Sequence, residues 1–330
     1  MKSPKPLVEI VATGRYLPER VLTNADLEKI VDTTDEWILE RTGIRERRIA
    51  AADMGAADMG ARASQIAMQR AGVLPGEIDV IVVSTATPDR LLPATACDMQ
   101  AILGATNAAA YDISAACSGF IYALQLAEGH IAAGRAEIAL VVSTEKMSGI
   151  IDWTDRQTCV LFGDGAGAAI LRKAQNGRGV LSTFIRSDGT LAELLWRPAG
   201  GVRVPMDLAV LDAKSHLVQM AGREVFKAAV RSMAEAADQA LMKAGLTGED
   251  IDLLVPHQAN IRIIEATAKY AGIPMDKVYI NIERYGNMSS ATVPIALDEA
   301  IEQGLVKAGS NVLMVAFGAG FTWASSVVRW

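Results

Sequence analysis

Cysteine and histidine are scarce in this chain, with three of each among 330 residues. Cys97, Cys117 and Cys159, with His130, His216 and His257, form no short-spaced ligand cluster, so no structural metal is expected. Cysteines that are scattered and odd in number argue against a disulfide framework and for a reducing compartment. Long apolar runs are missing too. Stretches such as Val80-Ile-Val-Val83 fall far short of the ~20 residues a membrane helix needs, and the start, Met1 to Leu7, lacks the shape of a signal peptide. A soluble, cytoplasmic protein with no membrane partner is expected. A basic excess is also absent. The net charge of −6 speaks against nucleic acid, because phosphate binding needs a basic face.

What is present reads as a globular α/β chain. Hydrophobic residues make up 51% and charged residues 21%, far from the composition of disorder. A chain of this length buries roughly three-quarters of its unfolded surface and needs no staples. Asn24 is placed to cap a helix from Ala25, and Thr34 or Asp35 to cap one running to Glu40. Ala-Ala-Asp-Met-Gly occurs at 51–55 and again at 56–60, with Asp58 as a cap for a helix ending near Ala71-Gly72. Buried strands are expected over 77–84, around Tyr111 and Ile113, and over 138–143. Helices are expected over about 94–103 and from Phe120 to Gly134. Phe162-Gly-Asp-Gly-Ala-Gly167 lacks the Gly-Lys-Ser/Thr ending of a phosphate loop and reads as a tight turn between strands.

The second half can be laid on the first at a nearly constant offset. Asp250 to His257 falls on Glu77 to Ser84, Lys277 to Glu283 on Ala108 to Ala115, and Asn311 to Phe317 on Glu137 to Ser143. A duplicated βαβ-rich unit follows, about 1–174 and 175–330, with mostly parallel sheets covered on both faces.

Cys117 lies where the short strand around Tyr111 turns into an apolar helix. Most free cysteines are small buried apolar residues, but a helix start offers free N–H groups and a positive dipole end that favour thiolate. Under the overlay, Asn287 occupies the pseudo-equivalent turn, and His257 lies just past the carboxyl end of its strand, where open α/β sheets put ligands.

The chain resembles β-ketoacyl-acyl carrier protein synthase III, the initiating condensing enzyme of bacterial fatty acid synthesis, nearly end to end. The resemblance rests on Asp35-Glu-Trp-Ile38 with Arg41-Thr-Gly-Ile-Arg45, on Asp112 to Gly119, on Phe162 to Gly167, on His257-Gln-Ala-Asn260, on Tyr285-Gly-Asn287 and on Phe317-Gly-Ala-Gly-Phe321. It implies a thiolase-like fold in α-β-α-β-α layers. It also implies an acyltransferase that joins an acyl-coenzyme A primer, acetyl or short acyl, to malonyl-acyl carrier protein with loss of carbon dioxide. Cys117 would carry the acyl group, and His257 and Asn287 would donate to the oxygen where enolate charge develops. The backbone amides of Cys117 and Ala319 would form the oxyanion hole; the family commonly has Gly at the second position.

Substrate handling follows the same resemblance. Trp37 and Arg156 match an adenine-gripping pair. Arg41, Thr42 and Asn260 match other coenzyme-contacting positions, and Gly222 and Phe226 match walls of the pantetheine tunnel. Lys227, Gln258, Arg262 and Lys269 match the carrier-protein docking face. Leu92 stands where well-known members carry Phe as a gate reaching the partner subunit's acyl pocket, so a homodimer and a wider primer range are implied. No cofactor beyond the coenzyme A thioester substrate is expected. Three alternatives remain open: a starter synthase or acyltransferase of secondary metabolism on the same fold, a cysteine thioesterase, and a noncatalytic partner. The missing orienting acid speaks against the thioesterase.

Overall fold

Apolar runs rich in β-branched residues form the strands and alanine-rich amphipathic stretches form the helices, as their propensities favour. The computed structural model describes residues 6–330; the expectation placed on Met1 to Lys5 lies outside them. In the first half, β1 (Val8–Tyr16), β2 (Val80–Ser84), β3 (Ala109–Ile113), β4 (Ile138–Lys146) and β5 (Asp164–Lys173) make one sheet in the order β1-β5-β4-β2-β3. Strand β2 pairs in parallel with β3 and β4, while β5 runs antiparallel to β4 and β1.

The second sheet joins β6 (Gly179–Ser187), β7 (Leu253–Pro256), β8 (Asn311–Gly318) and β9 (Thr322–Arg329) in the order β7-β8-β9-β6. Here β7 and β8 are parallel, and β9 is antiparallel to β8 and β6. Val278 bridges Leu254 in parallel on the free side of β7. The second sheet therefore repeats the first strand for strand, except that the counterpart of β3, expected over 277–283, shrinks to that bridge. Both sheets are mixed rather than mostly parallel. Strand β4 returns as β5, and β8 as β9, without a crossover helix, and only antiparallel pairing permits that.

The helices that matter for the site are α1 (Asp35–Thr42), α2 (Ala56–Ala71), α3 (Thr95–Leu103), α4 (Gly119–Ala132), α5 (Gly222–Ala244), α6 (Ile261–Tyr270) and α7 (Thr292–Glu302). Alternation along β2 divides its side chains between two cores. Val80 and Val82 pack inward with Phe120 and Leu124 of α4 and Val293 and Leu297 of α7. Ile81 and Val83 pack outward with Met59 of α2 and Met99 of α3. In the second sheet, Leu253 and Val255 face the same central helices, and Leu254 faces Met233 of α5 and Ile264 of α6. The result is five layers, α-β-α-β-α. Each such side chain contributes roughly 1.5–3 kcal/mol on burial.

Several local expectations change. Thr23, not Asn24, caps the first short helix, and Thr34 caps α1 by accepting from Trp37 N. Gly55 is the N-cap of α2. Asp58 sits three residues in and takes the Gly55 N–H at 2.8 Å, so the two tandem copies lie on opposite sides of a helix boundary. Gly165 and Gly167 lie within β5 rather than in a turn, and Gly163 directly precedes it. A Cβ on Gly165 would meet Met288 Sδ at 2.7 Å, and one on Gly167 would meet Pro294 at 2.7 Å. Their smallness lets the segment from Asn287 into α7 press against the sheet. Strand β3 is a half-exposed edge, not a buried strand.

Candidate active site

Cys117 sits in a tight turn, Ala116–Ser118, that feeds α4. Ala116 takes φ +44°, a left-handed conformation that costs an L-residue roughly 1–2 kcal/mol and aims the next side chain away from the helix. Gly318, at the end of β8, lies over this turn; a Cβ there would come 2.5 Å from Cys117 N. Ser118 Oγ donates to Thr322 Oγ1 at 2.7 Å, and Thr322 Oγ1 donates to Ala115 O at 2.8 Å. These bonds clamp the β8–β9 hairpin to the nucleophile turn.

The sulfur itself corrects an expectation. Burial pushes the Cys117 thiol up to about 12, the Glu145 carboxylate adds to that rise, and the Ser289 hydroxyl opposes it. Near the start of α4 the dipole favours thiolate, but loss of water around the sulfur outweighs it. At rest Cys117 is a thiol, its Sγ–H donating to Ser289 Oγ at 3.5 Å.

His257 and Asn287 reach the same cleft from the second half. The cleft is lined by Cys117, His257 and Asn287 together with Gly222, Phe226 and Asn260. The Asn287 backbone is pinned at both ends, its N–H on Leu161 O at 2.9 Å and its C=O accepting from Gly163 N at 3.0 Å. Its Oδ1 accepts from Ser289 N at 2.8 Å, which leaves Nδ2, a pure donor, for the cleft. His257 is fully enclosed, and burial holds it down at about 3, so the ring is neutral. Its Nδ1 meets Thr292 Oγ1 at 2.6 Å, and the same hydroxyl lies 3.0 Å from Ser289 O. Thr292 has one proton. Given to His257 Nδ1, that proton leaves an N–H on Nε2 that donates into the cleft; given to Ser289 O, it leaves Nε2 a bare acceptor. Among the described residues no acid hydrogen-bonds this histidine.

The remaining predicted residues divide. Gly222, Phe226 and Asn260 line the cleft as expected. Asn260 also caps α6, accepting from Arg262 N, and donates Nδ2 to Arg41 O at 2.7 Å. The Arg156 guanidinium lies 5.1 Å and the Arg41 guanidinium 4.6 Å from the Trp37 ring centroid. An adenine between ring and guanidinium needs about 7 Å, two contacts of ~3.5 Å. The expected pair therefore meets directly and must part to admit a base.

Thr42 does not face a ligand. It is buried, its Oγ1 donating to Ile38 O at 2.7 Å and accepting from Ile44 N at 3.0 Å, a helix-end role. Gln258 is not on a docking face. It is fully buried, with Nε2 on Pro256 O and Tyr279 O and with Oε1 accepting from Asn281 N. Lys227, Arg262 and Lys269 are exposed, and Arg262 also donates to Glu40 O at 3.0 Å. Leu92 is 87% exposed. Ala319 is half-buried, and the cleft is lined at this end by Gly318 instead. Neither the Ala319 nor the Cys117 N–H has a hydrogen-bond partner in another residue among the described residues. Sequence reasoning missed Thr292, Ser289 and Glu145. The first two lie in Asn287-Met-Ser-Ser-Ala-Thr292, where no spacing sets them apart, and Glu145 reads as one more strand residue.

Two family profiles match the chain: the one described as 3-oxoacyl-[acyl-carrier-protein (ACP)] synthase III over residues 111–189, and its C-terminal counterpart over residues 241–330. The β-ketoacyl-[acyl-carrier-protein] synthase III of Caldanaerobacter subterraneus is 53% identical over 97% of both chains. The crystal structure of the corresponding synthase from Aquifex aeolicus is 48% identical, covers 98% of this chain and 100% of its own, and superposes with a TM-score of 0.91. A priming β-ketosynthase of a polyketide pathway is 38% identical with a TM-score of 0.93, covering 100% of this chain and 98% of its own. With near-complete coverage and the cysteine, histidine and asparagine of the matched motifs meeting in one cleft, this chain belongs to the β-ketoacyl-[acyl-carrier-protein] synthase III family.

Proposed function

We propose that the chain condenses an acyl-coenzyme A primer, acetyl or short acyl, with malonyl-acyl carrier protein to give a 3-ketoacyl-carrier product. The carrying observation is the convergence of Cys117, His257 and Asn287 on one apolar cleft, with a hydroxyl rather than a carboxylate behind the histidine. Cys117 attacks the primer thioester and holds the acyl group, which splits the reaction in two. The unpartnered amides of Cys117 and Ala319 serve as the oxyanion hole, and one such donor is worth roughly 2.7–4 kcal/mol. His257 Nε2–H and Asn287 Nδ2–H donate to the malonyl thioester oxygen as carbon dioxide leaves. Neutral donors suit that step, because a carboxylate against the enolate oxygen would raise the barrier.

Trp37, Arg41 and Arg156 take the nucleotide end of coenzyme A, and Gly222, Phe226 and Asn260 guide its arm. Lys227, Arg262 and Lys269 offer cations to an acidic carrier protein; screening beyond ~8 Å makes such local charges count for more than the net −6. Residues 1–174 and 175–330 act as the two halves of the enzyme, in line with the change of sheet between Lys173 and Gly179. Exposed Leu91 and Leu92 and the open edge strand β3 suit a homodimer in which the loop reaches a partner subunit. A cytoplasmic setting fits the free cysteines, and no described helix is long and apolar enough to cross a membrane.

The test is purified protein with acetyl-coenzyme A and malonyl-carrier protein. Carbon dioxide release and a 3-ketoacyl-carrier product are expected. Hydrolysis of acyl-coenzyme A without malonate would instead identify a thioesterase.

A further inference from the structure

Ser289 is buried, yet its backbone takes φ +48°, a left-handed conformation that favours glycine. Under the overlay that lays His257 on Ser84, Ser289 falls on Ala116, which takes φ +44°. Each opens a tight turn that feeds a central helix, Ala116–Ser118 leading into α4 and Ser289–Ala291 into α7. The first half has a methyl group at this position, and the second half has a hydroxyl. Three contacts of Ser289 each lead to a residue of the proposed reaction. Its N–H donates to Asn287 Oδ1 at 2.8 Å, and its C=O lies 3.0 Å from Thr292 Oγ1, which meets His257 Nδ1. Its Oγ lies 3.5 Å from Cys117 Sγ. The two backbone contacts hold the strained conformation and would serve alanine or glycine equally. The hydroxyl is left with one hydrogen-bond partner among the described residues, the sulfur.

We propose that Ser289 is a catalytic residue whose hydroxyl accepts from the Cys117 thiol at rest and turns to donate its own O–H to the sulfur as negative charge develops there. This rests on the acyl-cysteine reading above. In acylation, Sγ bonds to the acyl carbon and the thiol proton leaves to solvent. The bond from the acyl carbon to coenzyme A breaks, and the departing thiolate takes up a solvent proton. In condensation, the enolate carbon bonds to the acyl carbon and the Cys117–acyl bond breaks with its electron pair on Sγ. Ser289 donates to that thiolate until a solvent proton restores the thiol. The serine keeps its own proton throughout.

The site gives the sulfur no other such partner. Burial disfavours the thiolate, yet sulfur carries charge in both halves of the reaction, as nucleophile and then as leaving group. The amides of Cys117 and Ala319 and the side chains of His257 and Asn287 are assigned to oxygen atoms. No other side chain hydrogen-bonds Sγ among the described residues. A hydroxyl suits the role because it both accepts and donates, whereas a carboxylate at the same place would repel the thiolate.

The experiment compares wild type, Ser289→Ala and Ser289→Gly. Iodoacetamide labelling of Cys117, read by peptide mass across a pH series, reports the thiolate, which is the form that reacts. Acetyl transfer from acetyl-coenzyme A is read by intact mass. Glycine fits φ +48° without strain, so it separates the hydroxyl from the backbone and keeps the test open if the alanine variant does not fold. Glu145 and His257, the titratable groups beside the sulfur, are unchanged in both variants. Each variant should label and acylate at least about tenfold more slowly, the effect of one hydrogen bond to a charged group. The labelling profile should therefore move up by about one pH unit or more. Preformed acyl-enzyme of either variant, mixed with malonyl-carrier protein, should lose as much in condensation. A smaller loss in labelling or in either half-reaction, in either folded variant, overturns the role of the hydroxyl while leaving the acyl-cysteine intact. Absence of any acyl-enzyme in wild type would instead sink the acyl-cysteine reading itself.

Discussion

At the scale of single residues, the site separates a nucleophile from a pair of donors. In the proposed reaction Cys117 alone bonds to the acyl group, so Cys117→Ser is expected to show no acyl adduct by intact mass. His257→Ala and Asn287→Ala should still acylate but lose decarboxylation by about a hundredfold or more, in the range a positioned donor contributes. Equal loss of both steps in the two alanine variants would refute that division. His257 also leaves a thermodynamic mark. Its native value near 3 lies below the ordinary 6.5, so the unfolded chain takes the proton first. Stability contributed by the neutral ring is present above about 6.5 and is lost as pH falls toward 3, at up to ~1.4 kcal/mol per unit. The unfolding free energy of wild type relative to His257→Gln should therefore shrink between pH 7 and pH 5; a constant gap would contradict the burial argument.

At the scale of elements, two turns and a hairpin set the geometry. The Ala116–Ser118 turn and the Asn287–Ala291 segment bring residues of opposite halves together. The β8–β9 hairpin closes over both through Ser118 and Thr322. Gly318 has no room for a methyl group, since its Cβ would sit 2.5 Å from Cys117 N. Gly318→Ala should push the hairpin off the nucleophile amide and lower the acylation rate by ~10²–10³, the usual price of one misplaced oxyanion donor. Near-normal acylation in that variant would show that the hairpin is not part of the hole.

At the scale of the whole molecule, the halves are joined by a buried acid as well as by apolar helices. Asp298 of α7 is fully buried and accepts from Thr13 Oγ1 of β1 at 2.6 Å, from Arg15 at 2.5 Å and from Arg70 of α2 at 2.6 Å. Arg15 and Arg70 keep Glu302 as a second partner but lose the buried acceptor, so Asp298→Ala is expected to cost about 1.5–3 kcal/mol in denaturant unfolding. A loss under 1 kcal/mol would mean solvent replaces the acid. Primer choice is tested at this scale too, at Leu92, whose side chain is almost fully exposed. Leu92→Phe should narrow the range of acyl-coenzyme A lengths accepted, read as kcat/KM across a primer series, without changing acetyl turnover by more than a few fold. An unchanged length profile would remove Leu92 from the acyl pocket.

Period and punctuation made the layered α/β fold, the duplication, and the Cys117, His257 and Asn287 positions readable along the chain. Alternating apolar strands, glycine stops and long motifs are local or linear signals. Proximity across the fold was not readable in this way. Thr34 as a cap was legible because its partner is three residues away, whereas Glu145 beside Ser290, or Gln258 turned into the core, depends on strands and turns far apart in sequence. Charge state was decided at the same level: a cysteine near a helix start reads as a thiolate, and only burial among apolar walls beside Glu145 makes it a thiol. The sequence by itself determined which elements form and which residue types can do the chemistry, because propensity and patterning act between near neighbours. Tertiary structure alone decided protonation, hydrogen-bond partners and access, because desolvation depends on everything that packs around a group.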